Sequence, residues 1–249
     1  MTYTIITGAS SGIGRATAFT LADYNKNLIL VSRDLKRLNT LKEDILAVHP
    51  HIEIQVFSID LSAKEEVHRL IEVLDNYDID ILINNAGFGI AGPILESDTT
   101  SVENMISLDV SSLVTLSIWF AKKYKEVEGK QLLNVSSTAG YEINTRAVLY
   151  SASKNFVASF TEGLAIELKN NHYPLQAKVL APYATETNFA KTSLGVENFS
   201  YQENYQKYHT AQQMSEFIVQ LLESNQIVGR VNSKNMKFEL TNTLLTWFA

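Results

Sequence analysis

The chain has 249 residues, no cysteine, and 21 basic against 27 acidic side chains, which gives a formal net charge of −6. The lack of cysteine excludes disulfides, thiolate metal sites and cysteine nucleophiles. The acidic balance argues against a nucleic-acid surface, and no run approaches the roughly 18 apolar residues of a membrane span. The N-terminus shows no signal-peptide pattern. We therefore expect a soluble, cytoplasmic protein with no nucleic-acid or membrane partner.

Short apolar runs alternate with longer segments of helical period, and no repeat or linker interrupts them. The expected strands are 3–7, 27–32, 52–59, 79–84, 131–136 and 176–181. The expected helices are 12–24, 35–48, 63–76, 100–127, 149–170 and 211–223. Nearly unbroken apolar strands are typical of a parallel sheet buried on both faces. The alternation predicts an α/β fold, in which a doubly wound parallel sheet of the Rossmann type lies between two helical layers in a single domain, 1–249.

A glycine-rich turn, Thr7-Gly8-Ala9-Ser10-Ser11-Gly12-Ile13-Gly14, joins the first strand to the first helix. Such glycines permit a tight turn, close approach of a pyrophosphate and close helix–strand packing. The helix N-terminus offers unpaired N–H groups to phosphate. The alternative is a glycine-rich turn that binds nothing. The residues predicted to bind a dinucleotide here are Gly8, Ser10, Ser11, Gly12, Ile13 and Gly14.

Arg33 follows the second strand, 19 residues after Gly14, where a residue that selects the cofactor is expected. Its guanidinium suits a ribose 2′-phosphate, whereas an acidic side chain would bind a 2′-hydroxyl. Asp34 is interpreted as the N-cap of the next helix. We therefore predict NADP(H) rather than NAD(H), with a solvated surface arginine as the alternative for Arg33.

Tyr150 and Lys154 are four residues apart and share one face of a predicted helix. A free phenol has a pKa of about 10, and a neighbouring ammonium lowers it toward the range useful for acid/base catalysis. The spacing alone also fits an ordinary surface helix. It gains weight from Ser137, which ends the fifth strand 13 residues earlier and can hydrogen-bond a substrate oxygen.

Over residues 7–187 the chain resembles the short-chain dehydrogenase/reductase family. Four features together carry this resemblance: the glycine-rich turn, Asn84-Asn85-Ala86-Gly87, Ser137 and Tyr150-x-x-x-Lys154. The resemblance implies that Tyr150 is the acid/base, that Lys154 lowers its pKa and binds the nicotinamide ribose, and that Ser137 polarises the carbonyl. It implies that Asn84 braces the sheet. The further cofactor contacts that it implies are Asp60, Leu61, Asn85, Ala86, Gly87, Pro182 and Thr187, with Arg33 and Ser10 at the 2′-phosphate.

The chain departs from the family pattern in three places. Asp109 stands at the asparagine that completes the catalytic tetrad, so it keeps a main-chain carbonyl but lacks the amide donor. Tyr183 replaces the glycine after Pro182 and is expected near the substrate. The C-terminal Gly-Gly strand is missing, which weakens a tetramer model. A homodimer or homotetramer is still expected, with helices 100–127 and 149–170 at the interface.

The implied function is hydride transfer between NADP(H) and a carbonyl or secondary alcohol, with Tyr150 exchanging the proton. The alternative is an NADP(H)-binding sensor or interaction protein. Residues 188–210 correspond to a mobile substrate lid, whose aromatics either line an apolar pocket or only pack the lid. The five histidines form no metal-binding pattern, so no metal is predicted. The apolar segment 244–249 is expected to be buried in its own subunit or in a neighbour.

Overall fold

In the computed structural model, which describes residues 1–246, a single eight-stranded sheet organises the chain. The strands, in chain order, are β1 (Thr2–Thr7), β2 (Asn27–Ser32), β3 (Ile54–Ser58), β4 (Asp78–Asn84), β5 (Gln131–Val135), β6 (Gln176–Ala181), β7 (Thr185–Glu186), β8 (His209–Thr210), β9 (Val228–Val231) and β10 (Phe238–Thr241). The sheet order is β10-β9-β6-β5-β4-β1-β2-β3, with β10 antiparallel at the edge. The strands β7 and β8 form a separate parallel pair.

The helices cover both faces of the sheet. They are α1 (Gly12–Asp23), α2 (Leu35–Val48), α3 (Lys64–Leu74), α4 (Thr99–Ile106), α5 (Leu113–Tyr124), α6 (Val148–Asn170), α7 (Phe189–Leu194), α8 (Tyr201–Asn204) and α9 (Ala211–Glu223). Successive residues of β1 point to opposite faces: Ile6 joins the core under α1, α2 and α9, and Ile5 joins the core under α3, α5 and α6. The predicted doubly wound α/β fold is confirmed, and its six predicted strands and six predicted helices are present in order.

The prediction of one regular helix over residues 100–127 was wrong. It consists of α4, a π-helical segment at Ser107–Ser112, and α5. The hydroxyls of Ser112 and Thr115 donate to the carbonyls of Leu108 and Ser111, four residues back, and such bonds compete with regular helix geometry. The wider turn places Asp109 fully inside the protein. By length and composition Thr99–Tyr124 is also apolar enough to cross a membrane, and 39% of its most apolar 18-residue window is buried inside the protein.

The C-terminal segment is fixed to α6 by a buried carboxylate. Glu162 Oε2 accepts hydrogen bonds from the backbone N–H groups of Leu244 and Leu245 at 2.8 and 3.0 Å. Its Oε1 accepts from the hydroxyl of Tyr141 at 2.6 Å. The partly buried Leu244 and Leu245 therefore pack within their own chain. Residues 247–249 of the predicted apolar tail lie outside the described residues.

Candidate active site

The parallel strands bring the predicted site residues to one edge of the sheet, because the carboxyl ends of parallel strands lie together. The turns and loops that follow β1 to β6 supply most of them, while Gly12, Ile13 and Gly14 lie in the first turn of α1 and Asp109 lies in the π-helical segment. Lys154 and Tyr150 come from α6, which packs against β6. Residues that lie more than a hundred positions apart in the sequence are thus brought next to one another.

The glycine-rich turn has backbone geometry that side chains disfavour. Gly8 and Gly12 have φ angles of +66° and +53°, in the left-handed region. A Cβ on Gly8 would stand 2.8 Å from the Cα of Ala86, and one on Gly12 would stand 3.2 Å from Cγ2 of Thr187. Ser11, the N-cap of α1, makes no side-chain capping bond. The turn therefore presents free helix N-terminal N–H groups, and these fit a pyrophosphate.

The Asn84–Gly87 turn is held against β1 by hydrogen bonds. Thr7 Oγ1 accepts from the backbone N–H groups of Asn85 and Ala86 at 2.9 and 3.0 Å. The Asn85 side chain donates to the Thr7 carbonyl at 3.0 Å. Asn84 donates to Ser117 of α5 and to Asn134 of β5, at 3.1 and 2.9 Å, and so links two strands to a helix. Asn85 therefore holds this turn against the end of β1.

A basic groove lies beside the glycine-rich turn. Its volume is about 530 Å³, and Ser10, Ser11 and Gly12 form one side. The cationic side chains in its wall are Arg15, Lys36 and Arg37, none of which the sequence analysis identified. Arg37 lies four residues after Arg33, close enough in the sequence that a search for basic residues after the second strand could have identified it. The predicted N-cap Asp34 is confirmed, since its carboxylate accepts from the backbone N–H of Arg37 at 3.0 Å.

Arg33 itself is exposed and lies toward Asp60 rather than in the groove wall. Burial raises the pKa of Asp60, but hydrogen bonds from Ser62 and the charge of Arg33 outweigh it, so that the pKa lies below its usual value. Asp60 Oδ1 accepts from the Ser62 backbone N–H and hydroxyl, at 3.0 and 2.7 Å. The neighbouring Leu61 is buried. This turn therefore presents a fixed carboxylate at the edge of the cleft.

The predicted catalytic residues contain a buried charge pair. Lys154 Nζ lies 3.1 Å from Oδ2 of Asp109, an ion-pair distance without aligned hydrogen-bond geometry. The same ammonium donates to the Val135 carbonyl at 3.3 Å and lies 5.7 Å from the centre of the Tyr150 ring. Asp109 Oδ1 accepts from the backbone N–H of Phe88 at 3.0 Å. The carboxylate therefore ties the π-helical segment to both α6 and the loop after β4.

Lys154 lowers the pKa of Tyr150, as predicted, but other effects are larger and leave this pKa above that of a free phenol. Burial raises the pKa of Tyr150, and the nearby carboxylate of Asp109 raises it further. The charge of Lys154 and hydrogen bonding with Ser137 lower this pKa, but they do not outweigh burial. The Lys154 pKa is raised because the charges of Asp109 and Tyr150 outweigh burial. The phenol therefore keeps its proton more strongly than a free tyrosine.

Ser137 begins a short 3-10 turn after β5 and is held in place by its neighbours. Its Oγ accepts from the backbone N–H of Ala139 at 3.1 Å. The next residue, Thr138, donates its N–H to the Pro182 carbonyl at 2.9 Å. The loops after β5 and β6 are thereby joined, and the Ser137 hydroxyl donates to the same Pro182 carbonyl at 3.5 Å.

The aromatics of the 188–210 segment divide into two groups. Tyr201 and Tyr205 stack at 5.6 Å, and Tyr183 packs edge-on against Tyr205 at 6.3 Å. These three tyrosines pack the 188–210 segment against the rest of the protein. Phe189 instead lies on the ring of Tyr150, at 5.3 Å between centroids. The sequence placed Phe189 in the lid but did not identify this contact.

Residues 2–196 match the family model described as short chain dehydrogenase. An uncharacterized oxidoreductase of Staphylococcus saprophyticus is 35% identical over 167 residues, 66% of this chain and 70% of that protein. The 17-beta-hydroxysteroid dehydrogenase type 3 of Mus musculus is 30% identical over 191 residues, 76% of this chain but only 62% of its own length. A solved short-chain dehydrogenase from Sphingobium yanoikuyae in complex with NADPH is 23% identical, with a TM-score of 0.85 over 94% of this chain and 89% of that one. This family match, together with the fold and the converging site residues, establishes that the chain belongs to the short-chain dehydrogenase family of oxidoreductases.

Proposed function

We propose that this protein is an NADP(H)-dependent oxidoreductase that interconverts a carbonyl compound and a secondary alcohol. The observation that carries the proposal is the convergence of Ser137, Tyr150 and Lys154 beside a turn whose geometry fits a pyrophosphate. A proton donor, a hydrogen-bond donor and a fixed cation in one cleft are the groups that carbonyl reduction requires.

NADPH is the cofactor that the groove beside the glycine-rich turn fits best, because three cations against one carboxylate, Asp34, line it and Arg33 lies nearby. The S. yanoikuyae enzyme was crystallised with NADPH. When bound, NADPH supplies the hydride. Each part of the cofactor is assigned to its own set of residues. The pyrophosphate is assigned to Gly8, Ser10, Ser11, Gly12, Ile13 and Gly14, and the 2′-phosphate to Arg33 with Arg37. The adenosine is assigned to Asp60, Leu61, Asn85, Ala86 and Gly87, and the nicotinamide ribose and ring to Tyr150, Lys154, Pro182 and Thr187.

The chain's own residues perform the proton chemistry. Ser137 donates a hydrogen bond to the substrate oxygen and stabilises the negative charge that develops there. Tyr150 gives its phenolic proton to that oxygen during reduction and receives it during oxidation. Lys154 keeps its charge beside the phenol, and Asp109 holds Lys154 and the backbone at Phe88 in place.

We extend the proposal to an apolar substrate and a single domain whose lid is residues 188–210. Phe189 lies on the ring of Tyr150, and two exposed apolar side chains, Leu95 and Ile143, lie on the segments that follow β4 and β5. A backbone hydrogen bond joins Gly92 to Arg146, so these two segments are connected. A substrate panel in which small polar carbonyls outperform aliphatic and aromatic ketones would contradict an apolar pocket.

Self-association in solution is part of the same proposal. Ile118 of α5 and Phe156 of α6 are exposed apolar residues on the two helices expected at the interface. A homodimer or homotetramer would cover them. Light scattering of the purified protein tests this, and a monomer at micromolar concentration would contradict it.

The decisive experiment follows loss of NADPH absorbance over a panel of aldehydes and ketones. We expect turnover with at least one apolar carbonyl, and a Tyr150→Phe variant that binds NADPH but does not turn over. Retained activity in that variant would refute the assignment of Tyr150. Tight NADPH binding with no turnover on any substrate would favour the sensor alternative.

A further inference from the structure

The buried pair between Asp109 and Lys154 is unusual in its position. Asp109 has no exposed surface and Lys154 is 4% exposed. An isolated charge at such depth is costly, and the two opposite charges offset part of that cost, although burial still raises the pKa of Asp109 by more than Lys154 and the Phe88 N–H lower it. The Lys154 ammonium of this pair lies 5.7 Å from the centre of the ring of Tyr150, the group to which the proposed function assigns proton transfer.

The carboxylate is fixed from two sides. Phe88 donates its N–H to Oδ1, and the Lys154 ammonium approaches Oδ2. A Cβ on Gly87 would stand 3.0 Å from Oδ1 and 3.1 Å from Nζ, so the backbone packs tightly against both charges. The ammonium therefore cannot turn toward the phenol without breaking this arrangement.

We propose that Asp109 is a positioning residue that neutralises the charge of Lys154, sets the pH at which Tyr150 releases its proton, and extends carbonyl reduction into the alkaline range. The inference rests on the proposed function for its catalytic consequence. The control of the Tyr150 phenol by the Asp109 carboxylate, acting through the Lys154 ammonium, does not depend on any substrate.

Two of the elements packed around the Tyr150 phenol carry charges, and these act in opposite directions. From α6, Lys154 favours the phenolate, and from the π-helical segment, Asp109 opposes it. From the loop after β5, only the uncharged hydroxyl of Ser137 contributes. The loop after β4 contributes the backbone near Gly89, and α7 contributes the ring of Phe189. Neither group carries a charge. Removing the Asp109 charge leaves the Lys154 cation uncompensated and therefore favours the phenolate.

The test is Asp109→Asn, whose side-chain oxygen can still accept from Phe88. Tyr150 ionisation is measured by phenolate absorbance as the difference between each protein and the same protein carrying Tyr150→Phe. We expect the midpoint in Asp109→Asn to fall by about 1 to 3 pH units, the usual effect of a nearby charge. The alkaline limb of carbonyl reduction should move down by the same amount.

Two comparisons make the result specific. Asp78→Asn removes the partner of Lys130, a buried lysine 2.6 Å from that carboxylate at the opposite edge of the sheet, and should leave the Tyr150 midpoint unchanged. Asp109→Glu restores the charge and should return the midpoint toward that of the wild type. Asp109→Ser removes the charge while leaving room for water, and it replaces Asp109→Asn if the latter does not fold.

An unchanged or higher Tyr150 midpoint in a folded variant without the Asp109 charge would overturn the inference. A purely structural role would lower the melting temperature without moving the midpoint. If no carbonyl is reduced by the wild type, the proposed function fails, but the absorbance titration still decides the role of Asp109.

Discussion

Phe189 lies against the ring of Tyr150, with the ring centroids 5.3 Å apart and the ring planes inclined by 50°. Gly89 makes this contact possible, because a Cβ there would stand 2.9 Å from Phe189 Cζ and 3.2 Å from Tyr150 Cδ2. The first residue of α7 therefore rests on the proposed acid/base. A substrate that reaches Tyr150 must meet this ring.

Phe189→Ala should raise KM for apolar carbonyl substrates about tenfold or more, since burying an aromatic side chain contributes roughly 1.5 to 3 kcal/mol. NADPH affinity should not change, and Phe189→Leu should restore most of the loss. Phe199→Ala is the matched control, because Phe199 packs on Tyr201 and Tyr205. Equal effects of the two alanine variants would mean that Phe189 only stabilises the segment.

Arg33→Ala should weaken NADPH binding by about 10- to 100-fold, because a hydrogen bond between charged groups contributes roughly 1.5 to 3 kcal/mol. NADH binding should change little, since NADH lacks the 2′-phosphate. Fluorescence titration with both nucleotides measures the difference. Arg37→Ala should show a smaller loss of the same kind, and Arg69→Ala on exposed α3 should show none. Equal loss of NADPH and NADH would reject a phosphate role for Arg33.

Gly87→Ala should separate the buried charge pair, because the added methyl group meets both Asp109 and Lys154 at about van der Waals overlap. Overpacking of this kind destabilises by about 1 to 3 kcal/mol. We expect a lower melting temperature and a clear loss of kcat. Gly163→Ala is the control, since its Cβ would meet open space on α6, and it should stabilise by about 0.5 to 1 kcal/mol. If the Gly87→Ala variant kept the wild-type kcat, the Asp109–Lys154 pair would be able to move without loss of catalysis.

Lys178 gives the fold a measurable pH dependence. Its buried ammonium donates to the carbonyls of Leu221, at 2.9 Å, and Ser224, at the end of α9. Burial lowers its pKa from 10.5 to about 8. Between these values the unfolded chain holds a proton that the folded chain has released, so this group's contribution to stability rises with pH from about 8 toward 10.5.

Denaturant unfolding at pH 7 to 9.5 tests this contribution as the difference between the wild type and Lys178→Met. The wild type should gain stability relative to the variant as the pH rises. Parallel curves for the two proteins would show that the two carbonyls hold the lysine charged throughout this range.

The sequence determined the order of elements and the chemistry of the main site residues, because both depend on short-range patterns. Apolar runs and helical periods located the strands and helices, and the glycine spacing located the turn that fits a pyrophosphate. The predicted position of Tyr150 relative to Lys154 followed from helical periodicity alone. These features need no knowledge of which distant residues meet.

Only the tertiary structure decided how the distant groups act on one another. The π-helical segment at Ser107–Ser112 places the Asp109 carboxylate beside Lys154, and no helical period predicts that irregularity. Burial raises the pKa of Tyr150 by more than the neighbouring ammonium lowers it. The contact between Phe189 and Tyr150 likewise depends on how loops from separate strands pack. Proton affinity in this site is a property of desolvation and three-dimensional charge placement, which a linear pattern does not contain.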